Sequence, residues 1–118
     1  MIIEQNEIRA VTPVLKILDA NVEYSHGCLI IQGHVVNTCQ VNTEAITVFA
    51  GYFSKNGVLL NEENMLMEDP VLLVGDSSFF SISTPFNPDY EYAIISFKYL
   101  TGTSIKTSGD KKVIRPEE

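Results

Sequence analysis

The chain has 118 residues, of which 45% are hydrophobic and 19% charged, and its formal net charge at pH 7 is −7. The length predicts one domain around one core, and the composition excludes a disordered chain. The negative charge repels phosphate backbones and anionic headgroups, which argues against nucleic acid and direct membrane insertion. It would attract a cationic partner or divalent ions, although a modest negative charge more often serves solubility alone.

Residues 1–13 are predicted to be an N-terminal extension. Their polar residues, which include Glu4 and Glu7, occupy the place where a signal peptide needs a basic segment and then an apolar run, so we predict no export signal. No apolar stretch approaches the roughly twenty residues of a spanning helix, so the chain is expected to be soluble. The compartment is left open.

Short apolar segments of period two, bounded by Gly, Asn, Ser or Pro, follow one another along the chain and predict an all-β fold. The predicted strands are residues 14–24, 28–36, 45–53, 58–60, 71–74, 78–84 and 91–100, with 104–107 as a last edge strand. Residues 61–69 are rich in Glu, Met and Leu, so a short helix is the open alternative there. The β-sandwich domain is predicted to span 14–107, and the polar segment 108–118 is predicted to be a frayed tail.

The face of each strand that points into the core is predicted from the alternation of side chains. The residues predicted to point inward are Leu29, Ile31, Gly33 and Val35 of the second strand, Ile46, Val48, Ala50 and Tyr52 of the third, and Ile95 and Phe97 near the end. Both alternate sets of the third strand are apolar, so alternation alone does not decide which set faces the core. The set that begins with Ile46 is the one predicted to face it.

Three segments occur in the order found in a known family. They read Leu29-x-Ile31-x-Gly33-x-Val35-x-Asn37, then Tyr52-Phe53-Ser54-Lys55-Asn56-Gly57, then Leu73-Val74-Gly75-Asp76 with Phe80-Ser81-Ile82. Together they resemble the FxLYD domains, which are small immunoglobulin-like sandwiches. Ser54 replaces the usual Asp of the naming strand, and Val74 stands where Pro is common.

The resemblance implies an immunoglobulin-like antiparallel sandwich of about seven strands with a structural or interaction role. It implies no catalytic residue and no cofactor, and it suggests an extracytoplasmic or cell-surface location. The residues themselves predict structural roles for two positions of the second strand. Gly33 is expected to admit the opposite sheet or a bulky aromatic ring, and Asn37 to satisfy backbone groups of the following loop.

The residues that carry catalytic chemistry are few. His34 is predicted on an outer strand face and His26 at a turn, and no nucleophile elbow or phosphate-binding glycine loop accompanies them. We therefore predict no enzyme activity. Cys28 and Cys39 stand at the two ends of the second strand, which separates them by roughly 36 Å and predicts two free thiols.

Metal binding is the alternative function. Met65 and Met67, with His34 or His26, form a set of soft ligands for Cu(I). The acidic residues proposed for weak calcium binding are Glu62, Glu63, Glu68 and Asp69, with Asp76. Packing of the two methionines onto the sandwich is the structural alternative for the first set.

The function predicted from the sequence is a noncatalytic protein-interaction or spacer domain. Its partner is expected to be another protein or a second copy, bound by strand addition at a sheet edge or on a face that carries Phe49, Phe53 or Tyr90.

Overall fold

The structure of the protein is a computed structural model that describes residues 14–109 and 111–114. Every regular element in these residues is a β-strand. The strands are β1 (Leu15–Ser25), β2 (Cys28–Asn37), β3 (Ile46–Phe53), β4 (Leu59–Leu66), β5 (Ser77–Pro85), β6 (Tyr92–Tyr99), β7 (Thr107–Ser108) and β8 (Lys112–Ile114). In this part of the chain there is no helix long and apolar enough to cross a membrane.

The strands form two four-stranded sheets that pack face to face. One sheet, here called sheet A, has the order β5-β2-β1-β7, and the other, sheet B, has the order β4-β3-β6-β8. All pairings are antiparallel except that of β1 with β7. The predicted all-β, immunoglobulin-like sandwich is confirmed. It has eight strands where about seven were predicted, and the last two have only two and three residues.

The core lies between the two sheets and contains the residues predicted to face inward. The buried set includes Leu29, Ile31 and Val35 of β2, Ile46, Val48, Ala50 and Tyr52 of β3, and Ile95 and Phe97 of β6. The ring of Phe97 meets that of Phe80 from the opposite sheet at 5.6 Å in an edge-to-face contact. Large apolar side chains buried from both sheets supply the main stabilisation of such a sandwich, about 1.5–3 kcal/mol each.

Gly33 is needed for a reason that differs from the prediction. A bulge interrupts the pairing of β1 with β2 between Ile17 and Asp19. A Cβ on Gly33 would lie 2.0 Å from the Asp19 carbonyl oxygen. The close approach is therefore made by the backbone of the neighbouring strand, not by the opposite sheet or an aromatic ring.

Asn37 performs the role predicted for it at the end of β2. Its buried side-chain amide donates to the carbonyl oxygens of Val41 at 2.9 Å and Leu72 at 3.1 Å. Its side-chain oxygen accepts from the Cys39 amide at 2.8 Å. One side chain thus satisfies backbone groups of two loops, which would otherwise be costly to bury.

Three predictions about secondary structure need correction. Residues 59–66 form strand β4 and not a helix, because pairing with β3 outweighs the helix propensity of Glu, Met and Leu. Residues 71–74 form a loop, in which only Leu72 is buried. The Leu72 amide donates to the Thr43 hydroxyl oxygen at 2.8 Å. Ser104 makes only an isolated bridge with Lys98, and the strand begins at Thr107.

The predicted tail also contributes to the sheets. Ser108 belongs to β7, and β8 pairs with β6 through Tyr92, Ala93 and Ile94. Val113 of β8 is buried in the core, which explains why a polar segment becomes ordered there. The sandwich therefore extends past residue 107, while residues 1–13 and 115–118 lie outside the described part of the chain.

Candidate interaction site

The outer face of sheet B carries a groove with a mixed apolar and polar lining. It is lined mainly by Phe49, Phe53, Leu59 and Ile94, with Glu62 and Lys98 among its polar lining residues, and its volume is about 210 Å³. Gly51 lies among these side chains, and a Cβ there would stand 3.2 Å from both Leu59 Cδ1 and Phe53 Cε1. The missing side chain at position 51 thus helps to create the concavity.

The aromatic rings of this face are held by their neighbours. Phe53 stacks on Tyr92 with ring centroids 5.2 Å apart and planes at 8°. The Lys112 ammonium lies 4.5 Å from the centre of the Tyr92 ring, and the Lys98 ammonium lies 4.6 Å from that of Phe49. Such stacking and cation–π contacts restrict the rings before any partner arrives, which lowers the entropy cost of binding.

Two of the three aromatic residues predicted for binding lie on this face, and the third does not. Phe49 and Phe53 project outward from β3 and are half-buried. Tyr90 is only 7% exposed, and its ring stacks on that of core residue Tyr52 at 5.1 Å. The turn that begins at Asn87, whose carbonyl accepts from the Tyr90 amide at 3.0 Å, directs this side chain inward. The prediction that Tyr90 forms a surface site is therefore wrong.

The soft ligands proposed for copper do not form one site. Met67 is 3% exposed and belongs to the core, whereas Met65, on β4 of sheet B, is 50% exposed. His34 lies on β2 of sheet A. His26 stands at the β1–β2 turn with a positive φ of 53°. Packing, the structural alternative, is what the structure gives for Met67.

The acidic residues are also separated. Glu62 points outward from β4, and Glu63 points inward, where it accepts from the Thr84 hydroxyl at 2.8 Å and the Asn61 amide at 3.2 Å. Glu68, Asp69 and Asp76 lie in the β4–β5 connection. Among residues 14–109 and 111–114, no group of three or more His, Cys, Asp or Glu side chains is placed to hold a metal ion.

The Glu63–Thr84 contact has a structural role. Glu63 belongs to edge strand β4 of sheet B and Thr84 to edge strand β5 of sheet A, so their hydrogen bond joins the two sheets at one side of the sandwich. A charged acceptor makes such a bond stronger than one between neutral groups.

An exposed histidine–carboxylate pair is present on the outer face of sheet A. His34 Nδ1 lies 3.1 Å from both carboxylate oxygens of Asp19, and the His34 ring packs edge-on against Phe79 at 5.5 Å. Both side chains are about half exposed, at 49% and 55%. A solvated pair of this kind contributes little to stability, and catalysis would need a nucleophile held by the other ring nitrogen.

The buried hydroxyl of Tyr52 is the one buried side-chain polar atom without a hydrogen-bond partner in the described residues. Burial, with smaller contributions from Glu63 and Tyr90, raises the pKa of Tyr52 well above its usual value. The hydroxyl therefore stays protonated to a higher pH than an exposed tyrosine hydroxyl does.

Cys28 and Cys39 are both free and half-buried, as the spacing predicted. Gly51, Tyr92 and Ile94 were not predicted from the sequence to be parts of a binding surface. One signal pointed to them, since the outward set of β3 is as apolar as its inward set, and Ile94 lies beside Gly51 on the neighbouring strand β6.

Comparisons with known proteins bear on the fold alone. No protein-family model and no curated protein matches this sequence. Among solved structures, β-glucuronidase 2 of Bacteroides uniformis, covalently bound to cyclophellitol-6-carboxylate aziridine, superposes with a TM-score of 0.64 at 12% identity, over 88% of this chain and 15% of that one. A β-glucuronidase from glycoside hydrolase family 2 gives 0.63 at 12% identity, over 88% and 13%.

A shorter neighbour matches over most of its own length. The C-terminal domain of wzt superposes with a TM-score of 0.56 at 13% identity, over 91% of this chain and 83% of that one. By contrast, this chain spans only about 15% of the length of the first glucuronidase. These similarities define the class of the fold, a β-sandwich domain of the kind that occurs inside much longer chains.

Proposed function

We propose that this protein is a noncatalytic interaction module that binds another protein on the outer face of sheet B. The observation that carries the proposal is the groove of about 210 Å³ in which Phe49, Phe53, Leu59 and Ile94 lie beside polar side chains. Concave apolar surfaces with fixed aromatic rings are the places where binding energy concentrates in protein interfaces.

The charges around the groove favour a protein partner. Lys98 and Glu62 are both among its lining residues, so the surface presents a cation and an anion beside an apolar floor. This matches the usual arrangement of an interface, in which a desolvated apolar centre is surrounded by polar groups that select the partner.

The sequence resemblance to FxLYD domains supports the same role, because those domains share no catalytic machinery. It also supports the proposal that the module works outside the cytoplasm or at a cell surface. The glucuronidase neighbours add no activity, since identity of 12% supports the fold alone. A metal carrier has no supporting observation, because the proposed ligands are dispersed over both sheets, the core and a loop.

Site-specific photo-crosslinking in cells that express the protein naturally tests the proposal. A benzophenone amino acid replaces Phe53 in one variant and Leu73 in the control, since Leu73 is 53% exposed but lies in the β4–β5 loop away from the groove. We expect one dominant crosslinked protein from position 53 and none from position 73. The purified partner should then bind the Phe53→Ser variant at least about tenfold more weakly than the native protein.

Two results would contradict the proposal. One is equal crosslinking at both positions, which indicates nonspecific contact. The other is unchanged affinity of Phe53→Ser for the captured protein, with the melting temperature of the variant confirming that it is folded.

A further inference from the structure

The four sheet edges of the sandwich differ in how well they are protected from strand addition. Strand β7 has two residues and β8 has three, so neither offers a useful backbone ladder. Strand β5 has nine residues without a charged side chain, and it ends at Pro85. Short strands and edge prolines are known protections against pairing with another chain.

Strand β4 is neither short nor interrupted by proline, and its protection consists of the charges of Glu62 and Glu63. It has eight residues without Pro or Lys, and its regular register runs from Asn61 to Leu66 after an irregularity near Leu59. Its only strand partner in the described residues is β3, so its other edge carries unpaired backbone donors and acceptors. Such an edge is a template for an added strand.

The charge of β4 argues against a second copy of this chain as the added strand. Glu62 and Glu63 occupy the middle of the strand and Glu68 follows it. Two antiparallel copies of β4 centred on this segment would place the glutamates of one beside those of the other, and like charges across strands are destabilising. Glu62 has no ion pair with any residue in the described part of the chain. A basic side chain on the added strand would pair with it.

A cavity beside the open edge offers a place for an apolar side chain. Between the edges of β4 and β5, a space of about 220 Å³ is lined by Met65, Leu66, Glu68, Phe79 and Ser81. The Glu63–Thr84 hydrogen bond joins the two edges farther along β4, and the cavity lies toward the Leu66 end. Met65 is opposite Val48, a core residue, so it lies on the inward side of β4.

We infer that β4 accepts an extended segment of a partner protein, with Lys or Arg opposite Glu62 and an aliphatic residue opposite Met65. Positions 62 and 65 are three apart, so the two recognised side chains point to opposite faces of the added strand. The required pattern is therefore an aliphatic and a basic residue separated by two others. This inference rests on the proposed function as an interaction module and assigns it a second surface and a partner chemistry.

Synthetic peptides of about the length of β4 test the inference. One carries Leu-x-x-Lys and a second Lys-x-x-Leu in an otherwise Thr- and Ser-rich chain, and binding to the full-length protein is measured by fluorescence anisotropy. The order that binds reveals whether the added strand is antiparallel or parallel. Replacing its Lys with Glu should weaken binding about tenfold, and the Glu62→Lys variant should restore affinity for that Glu peptide. Salt should reduce these differences.

Backbone methylation distinguishes strand addition from docking on a face. In an antiparallel ladder, alternate residues direct their N–H groups toward a given neighbour. N-methylation of one alternate set should abolish measurable binding, whereas methylation of the other set should change affinity less than about threefold. The matched protein control is Glu91→Lys, which changes charge equally at a residue outside the strands.

Several outcomes would overturn the inference. The first two are that neither peptide binds and that the two methylation patterns have equal effects. The third is that Glu62→Lys and Glu91→Lys change binding equally. The fourth is a concentration-dependent dimer that the peptide dissociates, which would make a second copy the occupant. Any of them leaves crosslinking at position 53 as a separate measure of the proposed function. Conversely, peptide binding that survives Phe53→Ser supports the edge even if the groove has no partner.

Discussion

Strands β2 and β3 are interior strands of the two sheets, and each contains one glycine within an alternating apolar pattern. In β2 the outward side chains include Gln32 and His34, and the glycine faces a backbone bulge. In β3 the outward side chains include Phe49 and Phe53, and the glycine lies in a surface groove. Similar local patterns therefore serve packing in one strand and an exposed surface in the other, because their neighbours differ.

The largest expected effect separates the two glycines. Gly33→Ala places a Cβ 2.0 Å from the Asp19 carbonyl oxygen, which only a backbone shift relieves. We expect a loss of about 4 kcal/mol in the free energy of unfolding, measured by urea denaturation. Gly51→Ala is the matched control, and its contacts at 3.2 Å are with side-chain atoms of Leu59 and Phe53, which can give way by a few tenths of an ångström without a backbone shift. Its effect should stay within about 1 kcal/mol, so equal losses would contradict the distinct roles assigned to the glycines.

The second prediction separates the two faces of β3. Tyr90→Ala removes a ring stacked on the inner residue Tyr52 and should cost about 3 kcal/mol of stability. Phe53→Ser removes a half-buried ring from the outer face and should cost about 1 kcal/mol. Thermal unfolding of both variants measures the difference. A larger loss for Phe53→Ser would reassign that ring to a structural role.

The smallest effect concerns the inner hydroxyl of β3. Tyr52→Phe removes a buried hydroxyl without a hydrogen-bond partner and should raise stability by about 1 kcal/mol. The pKa of Tyr52 is raised in the folded state, so the folded protein holds this proton more tightly than the unfolded chain, whose tyrosine has a pKa of 10.0. The stability linked to this proton is fully present below pH 10.0 and is lost as the pH rises above it. Native stability should therefore fall more steeply than that of Tyr52→Phe above about pH 10. Identical alkaline profiles would contradict this.

Most of the fold was predictable from period-two alternation. The inward sets of β2 and β3 and the buried Ile95 and Phe97 are confirmed, because one sheet face must be covered and its residues recur at every second position. Residues 61–69 were harder, since Glu, Met and Leu favour a helix and only pairing with β3 selects the strand. Residues 112–114 likewise form a strand only because they pair with a distant strand, β6.

The candidate site was predictable only in part. Phe49 and Phe53 were identified because both alternate sets of β3 are apolar, which leaves one set for the surface. Tyr90 was misplaced because the chain direction after the Asn87 turn is not encoded in local hydrophobicity. The edge of β4 was not singled out, since the edge position of a strand depends on the order of all strands in its sheet.

The amino-acid pattern alone therefore determined the all-β class, the inward faces and the role of Asn37, because alternation and hydrogen-bonding capacity are local properties. Tertiary structure alone decided the reason for Gly33, the burial of Tyr90, the meeting of His34 with Asp19 and the edge position of β4. Each of these depends on which distant segments become neighbours, and that is set by the packing of two sheets around one core.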